Sequence, residues 1–130
     1  MSSDKWWHIC CNLIKYMPKV LIINHDEEMM ELLKRWLNKK GLQAKYVSED
    51  EAISTMKDFK ADVVLVHVLQ IEAAKKIKQE QELSNTPIVV MAGYPFIESD
   101  YRDVADEVVI KPFYPKEIEE IVLKVLKHTG

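Results

Sequence analysis

A chain of 130 residues, 48% hydrophobic and 30% charged, is the size of one ordinary domain and has enough apolar matter for a core, which excludes a disordered or fibrous protein. Its formal net charge of -3 argues against general nucleic-acid binding, which rests on neutralising phosphates. No apolar run approaches the roughly 18 residues needed to cross a bilayer, and the apolar start, broken by Asp4, His8, Asn12 and Lys15, does not read as a signal peptide.

Residues 1–18 stand apart from the rest. Lys5, His8, Asn12 and Lys15 fall on one helical face, and Trp6, Cys10, Leu13 and Met17 on another, which predicts a short amphipathic helix. Met17-Pro18-Lys19-Val20 also reads as a natural start for a first strand, so the preceding segment has a second reading as an added N-terminus. Cys10 and Cys11 are the two cysteines, and one adjacent pair builds no disulfide framework. Together these features predict a cytoplasmic protein in a reducing compartment, with no membrane contact.

From Lys19 to Gly130 short apolar runs alternate with amphipathic stretches. Val20-Leu21-Ile22-Ile23 is short and β-branched, as a strand buried on both faces should be. Met29 to Leu37 is apolar at helical spacing and is stopped by Gly41. Leu42 to Val47 alternates as a second strand. Ser48 to Phe59 predicts a helix with Ser48 as N-cap and Glu51 completing a capping box. Val63-Val64-Leu65-Val66 is a third strand and Ile71 to Leu83 a third helix. Pro87 opens the fourth strand, Ile88-Val89-Val90-Met91. Glu98 to Val104 predicts a short helix and Val108-Val109-Ile110 a fifth strand. Pro115 starts a last helix, whose apolar face is Ile118, Ile121, Val122, Val125 and Leu126.

Strands separated by helices need crossover connections, which give a parallel sheet with helices on both faces. Five such units in this length predict an α/β, flavodoxin-like (βα)5 sandwich of strand order 2-1-3-4-5, with its functional site at the carboxyl ends of the strands beside the switch point.

Four segments fall at those strand ends: Val20 to Glu27, Ala61 to Val68, Thr86-Pro87 to Ala92, and Val109-Ile110-Lys111-Pro112-Phe113. In this order they resemble the receiver domains of two-component response regulators, the CheY-like family, over about Lys19 to His128. The resemblance implies a phosphoacceptor pocket. A carboxylate ends strand 3, two acids after strand 1 help hold Mg2+, a hydroxyl follows strand 4, an aromatic lies on strand 5 and a lysine follows it.

The chain departs from that pattern nearly everywhere. His67 stands at the nucleophile position, and Asn24 and His25 represent the acidic pair, with Asp26 next. Ala92 holds the hydroxyl position and Val108 the aromatic one; only Lys111 is unchanged. Asn24 brings no charge to Mg2+, and imidazoles bind that hard cation poorly. The stretch after His67 also lacks the family's proline- and glycine-containing loop. Asp62, at the other end of the third strand, is expected to be structural. Lys111 is expected to pair with Asp26 or turn to solvent.

These losses predict a degenerate pseudo-receiver: not an enzyme, without a cofactor, and acting through a protein partner such as a sensor kinase or effector. No output domain follows Gly130, so that partner is expected in trans, with the domain a monomer or weak homodimer. The family's habit of presenting its fourth and last helices with strand 5 puts the expected surface on Tyr94, Phe96, Tyr101 and Val108. Two alternatives stay open: His25 and His67 with Asp26 as ligands of Zn2+, Ni2+ or Cu2+, and a receiver that still accepts phosphate.

Overall fold

The computed structural model describes residues 17–24, 26–93, 101–110 and 114–129. Five strands, β1 (Lys19–Ile23), β2 (Gln43–Val47), β3 (Val63–His67), β4 (Ile88–Ala92) and β5 (Glu107–Ile110), form one parallel sheet in the order β2-β1-β3-β4-β5. Among the described residues the helices are α1 (Glu27–Lys39), α2 (Ala52–Phe59), α3 (Ile71–Gln79) and α4 (Pro115–Thr129). This is the expected flavodoxin-like architecture.

Side chains on a strand alternate between faces, so a strand apolar throughout serves two cores. In β1, Val20 and Ile22 pack toward α1 and α4 with Leu33, Leu37, Ile118 and Val122. Leu21 and Ile23 face the other way, toward Met56 of α2 and Ala74 and Ile77 of α3. β3 and β4 repeat the division, and every residue of both strands is buried. Trp36 adds a polar tie within the first helical layer, its Nε1 donating to Glu119 Oε1 at 2.8 Å, which joins α1 to α4.

Several boundaries differ from the sequence expectation, each for a local reason. Ser48 makes no side-chain cap; Glu49–Glu51 form a 3-10 turn and the α-helix starts only at Ala52. The third helix stops at Gln79, where Glu80 turns extended (φ -78°, ψ 119°), and Leu83 reaches the core from the following turn. Residues 101–104 form a turn rather than the end of a helix, with the N–H groups of Val104 and Ala105 both donating to the Tyr101 carbonyl. The remainder of the helix expected from Glu98 lies outside the described residues. Pro115 does occupy the first turn of α4, where its missing N–H costs nothing. Gly41 carries the positive φ (+88°) that turns the chain from α1 into β2.

At the amino edge of the sheet the strands are pinned by carboxylates. Asp62 Oδ2 accepts the Lys19 N–H at 2.7 Å, while its own N–H donates to the Lys19 carbonyl at 2.7 Å. Asp62 is thus a backbone clamp, as expected of a structural residue. Asp106 Oδ2 accepts the Ile88 N–H at 2.7 Å and lies 3.4 Å from Lys78 Nζ, tying the end of α3 to the entries of β4 and β5.

Candidate functional site

β1 and β3 are adjacent, with Ile23 opposite Val66, so Asn24 and His67 leave the sheet side by side at its carboxyl edge. On one side of β1 the chain pairs with β2, and on the other with β3; this is the switch point at which ligands of such sheets bind. The register of β3 against β4 brings His67 beside Met91. Ala92 follows and is paired with Ile110 of β5.

Asn24 is 3% exposed and its Oδ1 accepts the Asp26 N–H at 3.2 Å, closing an Asx turn that redirects the chain from β1 into α1. Asp26 is the N-cap of that helix: its Oδ1 accepts the Met29 N–H at 3.2 Å, and its backbone is extended (φ -86°, ψ 96°) as a cap should be. The one described carboxylate of this segment before the helix proper is therefore engaged by backbone. Glu27 and Glu28 follow in the first turn, where they face the positive end of the helix dipole.

His67 is 8% exposed. Its Nδ1 accepts the Leu69 N–H at 3.1 Å, so the imidazole caps the 3-10 turn Val68–Gln70 that leads directly into α3. An accepting Nδ1 carries no proton, so the ring is held as the Nε2–H tautomer when neutral. That nitrogen is also withdrawn from metal ligation. The short, capped turn takes the place of the longer loop that the resemblance implies. Ala92 is buried at 1% exposure and carries no polar atom. Gln70 is buried beside this end of the sheet as well, so Asn24, His67 and Gln70 are the buried polar residues among those described.

His25, Lys111, Tyr94 and Phe96 lie outside the described residues. The pairing of Lys111 with Asp26 and the His25–His67 metal pair therefore have no described geometry. Among the described residues no cluster of three or more histidine, cysteine or acidic side chains is placed to hold a metal ion.

One of the expected partner-binding residues, Tyr101, needs correction. Tyr101 is 6% exposed and belongs to the core on the β3–β4 face that packs against α2 and α3. Val108 is half-buried and packs on that same core. The apolar side chains exposed in this region are instead Ile110 (54%), at the end of β5, and Tyr114 (63%), just before α4. Ile110 was legible only as part of an apolar strand, and its exposure follows from β5 being an edge strand, open on one side. Tyr114 had no periodic signal, since it precedes the helix.

Elsewhere on α1, Tyr46 of β2 lies near Glu31, whose carboxylate, followed by partial burial, holds the phenol above its ordinary value of 10.0. Among the described residues no helix is long and apolar enough to cross a membrane.

No family model matches the chain. A probable transcriptional regulator, ycf27 of Guillardia theta, is 25% identical over 118 residues; the match covers 86% of this chain, which spans less than half (46%) of that protein. The chemotaxis response regulator CheY4 of Vibrio cholerae superposes with a TM-score of 0.76 at 19% identity, covering 85% of this chain and 99% of that one. A putative response regulator of Chloroflexus aurantiacus gives 0.78 at 21% identity, covering 86% and 99%. NtrX of Brucella abortus gives 0.78 at 18% identity, covering 88% of this chain but 27% of its own. Strand order, switch-point geometry and these superpositions agree: the chain has the fold of the CheY-like response-regulator receiver domains.

Proposed function

We propose that this chain is a receiver-type signalling domain that works by binding a protein partner, without accepting a phosphoryl group and without catalysing a reaction. The observation that carries the reading is His67. It stands where the family resemblance puts the nucleophilic carboxylate, and its Nδ1 is committed to the Leu69 N–H. The neighbours support it. Asn24 is neutral and spent on a turn, Asp26 is spent on a helix cap, and Ala92 offers no hydroxyl. A pocket of this kind lacks the carboxylate pair that a small, strongly hydrated cation needs, and without that cation nothing offsets the charge of a phosphoryl group in transfer.

The partner surface on this reading is the β5–α4 side, centred on the exposed Ile110 and Tyr114. An aromatic and an aliphatic side chain left open four residues apart suit the core of a small interface better than solvent. The cognate partner on this reading is a protein of two-component signalling, a sensor kinase or an effector.

Incubation with acetyl phosphate or beryllofluoride in the presence of Mg2+ tests the reading. The expected result is an unchanged mass and an unchanged amide spectrum around residues 24, 67 and 92. A gain of one phosphoryl group, or a shift of those resonances that depends on both reagents, would refute it.

A further inference from the structure

The amino end of the β2 edge carries lysines whose placement the fold alone does not require. α2 ends at Phe59, which is half-buried and packs on the core that includes Leu21 and Ile23. Lys19 opens β1 and shares the sheet face of Leu21, because side chains alternate along a strand. Lys45 of β2 stands opposite Leu21 and points to the same face. Both lysines reach one ring: Lys19 Nζ lies 5.5 Å and Lys45 Nζ 5.7 Å from the Phe59 centroid. Lys60 follows as the exposed C-cap of α2, in the left-handed region (φ 54°, ψ 59°) that glycine would occupy without steric cost.

The charge of this group is unbalanced. Among the described residues Arg35, Lys57, Lys75, Lys78 and Lys124 each pair with a carboxylate, whereas Lys19, Lys45 and Lys60 make no ion pair. Asp62 accepts the backbone N–H of Lys19 instead. The helix dipole accounts for a cation at the end of α2, and so for Lys60, but Lys19 and Lys45 stand on strands. One ammonium group satisfies an aromatic face; a second on the same ring adds like-charge repulsion, which a bound anion removes.

The open side of β2 selects the kind of anion. β2 ends the sheet, with no strand beyond it among the described residues. The Gln43 N–H turns inward to the Pro18 carbonyl at 2.8 Å, and the Ala44 N–H turns outward to Asn38 Oδ1 at 2.9 Å. The same alternation sets the Tyr46 N–H and carbonyl on the outer side. An extended peptide can pair with them, and its side chains, repeating every two residues, fall in line with Gln43 and Lys45. A phosphate backbone or a lipid surface makes no use of a strand edge, and the net charge of -3 disfavours a nucleic acid.

We infer that the amino end of the β2 edge is a docking site for an acidic, extended segment of a partner protein, which adds to β2 as a strand and lays its carboxylates against Lys19, Lys45 and Lys60. The site lies at the opposite edge of the sheet from β5, so it stands apart from the Ile110–Tyr114 surface and from any reading of the phosphoacceptor pocket. A domain using both edges would join two proteins.

The full chain is titrated with a fluorescein-labelled peptide of alternating glutamate and threonine, about a dozen residues long, and followed by anisotropy, amide spectra and hydrogen exchange. The expected result is saturable binding that weakens as sodium chloride is raised, with shifts at residues 43–47 and slowed exchange of the Tyr46 amide. The double variant Lys19→Gln, Lys45→Gln should lower the affinity by about tenfold, and Lys60→Gly, which suits the left-handed backbone, severalfold. The clamp between Lys19 and Asp62 runs through the Lys19 backbone, so glutamine leaves it in place. The comparison, Lys76→Gln with Lys127→Gln, removes the same charge from exposed positions elsewhere and should change the affinity by about twofold or less. No saturable binding, equal losses in the two double variants, or shifts that spare β2 would each overturn the inference. So would tighter binding of oligouridylate or of phosphatidylserine vesicles that depends on Lys19 and Lys45, which would make this a nucleic-acid or membrane site instead.

Discussion

If Asp26 serves as a helix cap rather than as a cation ligand, its two conservative replacements must behave differently. Asp26→Ala removes the oxygen that accepts the Met29 N–H at 3.2 Å and leaves that donor to water. Losing an N-cap of this type costs about 1 kcal/mol, within a range of roughly 0.5–2. The carboxylate's interaction with the helix dipole adds little, because Glu27 and Glu28 already supply negative charge to the first turn. Asp26→Asn keeps an oxygen of the same reach and is among the best N-caps, so it should cost almost nothing. For a domain of this length a loss of about 1 kcal/mol lowers the melting temperature by about 3–5 °C. Thermal and urea unfolding of the wild type and both variants, with and without millimolar Mg2+, read the difference. Asparagine proving as harmful as alanine, or a Mg2+-dependent stabilisation of the wild type that both variants lose, would show that the charge is being used at the site and would refute the argument.

Three further outcomes follow from the same contacts. His67→Leu removes the acceptor of the part-buried Leu69 N–H and should cost about 0.5–1.5 kcal/mol in urea unfolding, whereas His67→Asn, whose side-chain oxygen can take over the cap, should cost clearly less; equal losses would mean that the Nδ1 hydrogen bond contributes nothing. Asp106→Ala removes the acceptor of the Ile88 N–H and the partner of Lys78, for a loss of about 1–3 kcal/mol, while Asp106→Asn should retain most of the stability through the Ile88 bond, and hydrogen exchange at Ile88 reads the two directly. Glu31→Gln should bring the Tyr46 phenol down toward 10.0 in a spectrophotometric titration. Because the folded-state value is raised, Tyr46 favours the fold below the unfolded-state value, and that contribution fades as pH climbs through the folded one; Glu31→Gln should flatten this loss, and an unmoved midpoint would dismiss the coupling.

Much of the fold could be read from residue order because β1, β3 and β4 are brief, β-branched runs serving two cores, a pattern that helices of this length do not produce. The errors cluster where an apolar residue is buried without belonging to a periodic element. Leu83 extended the apparent third helix because it is apolar at the right spacing, yet the chain has already left the helix at Glu80 and Leu83 arrives from a turn. Tyr101 looked like a surface aromatic in a polar stretch, yet the turn beginning there folds its ring under the sheet. Ser48 and Glu51 have capping-box spacing, but the intervening acids are taken up in a 3-10 turn and the box does not close. In the site, residue types told which chemistry is missing, whereas what Asn24, Asp26 and His67 do instead depends on hydrogen bonds two or three residues along the backbone. Those are local contacts, and Asp26 three places before Met29 was a readable N-cap signal overshadowed by the family comparison.

The clamp between Asp62 and Lys19 has a reach beyond the edge where it sits. By fastening the entries of β1 and β3 to each other in both directions, it sets the relative height at which the two strands run. Five residues further on, about 16 Å away at strand rise, that same offset determines that Asn24 and His67 surface as neighbours. The carboxylate at the foot of the sheet thus acts as a ruler for the opposite rim, and loosening it would misalign the pocket without touching any residue in it.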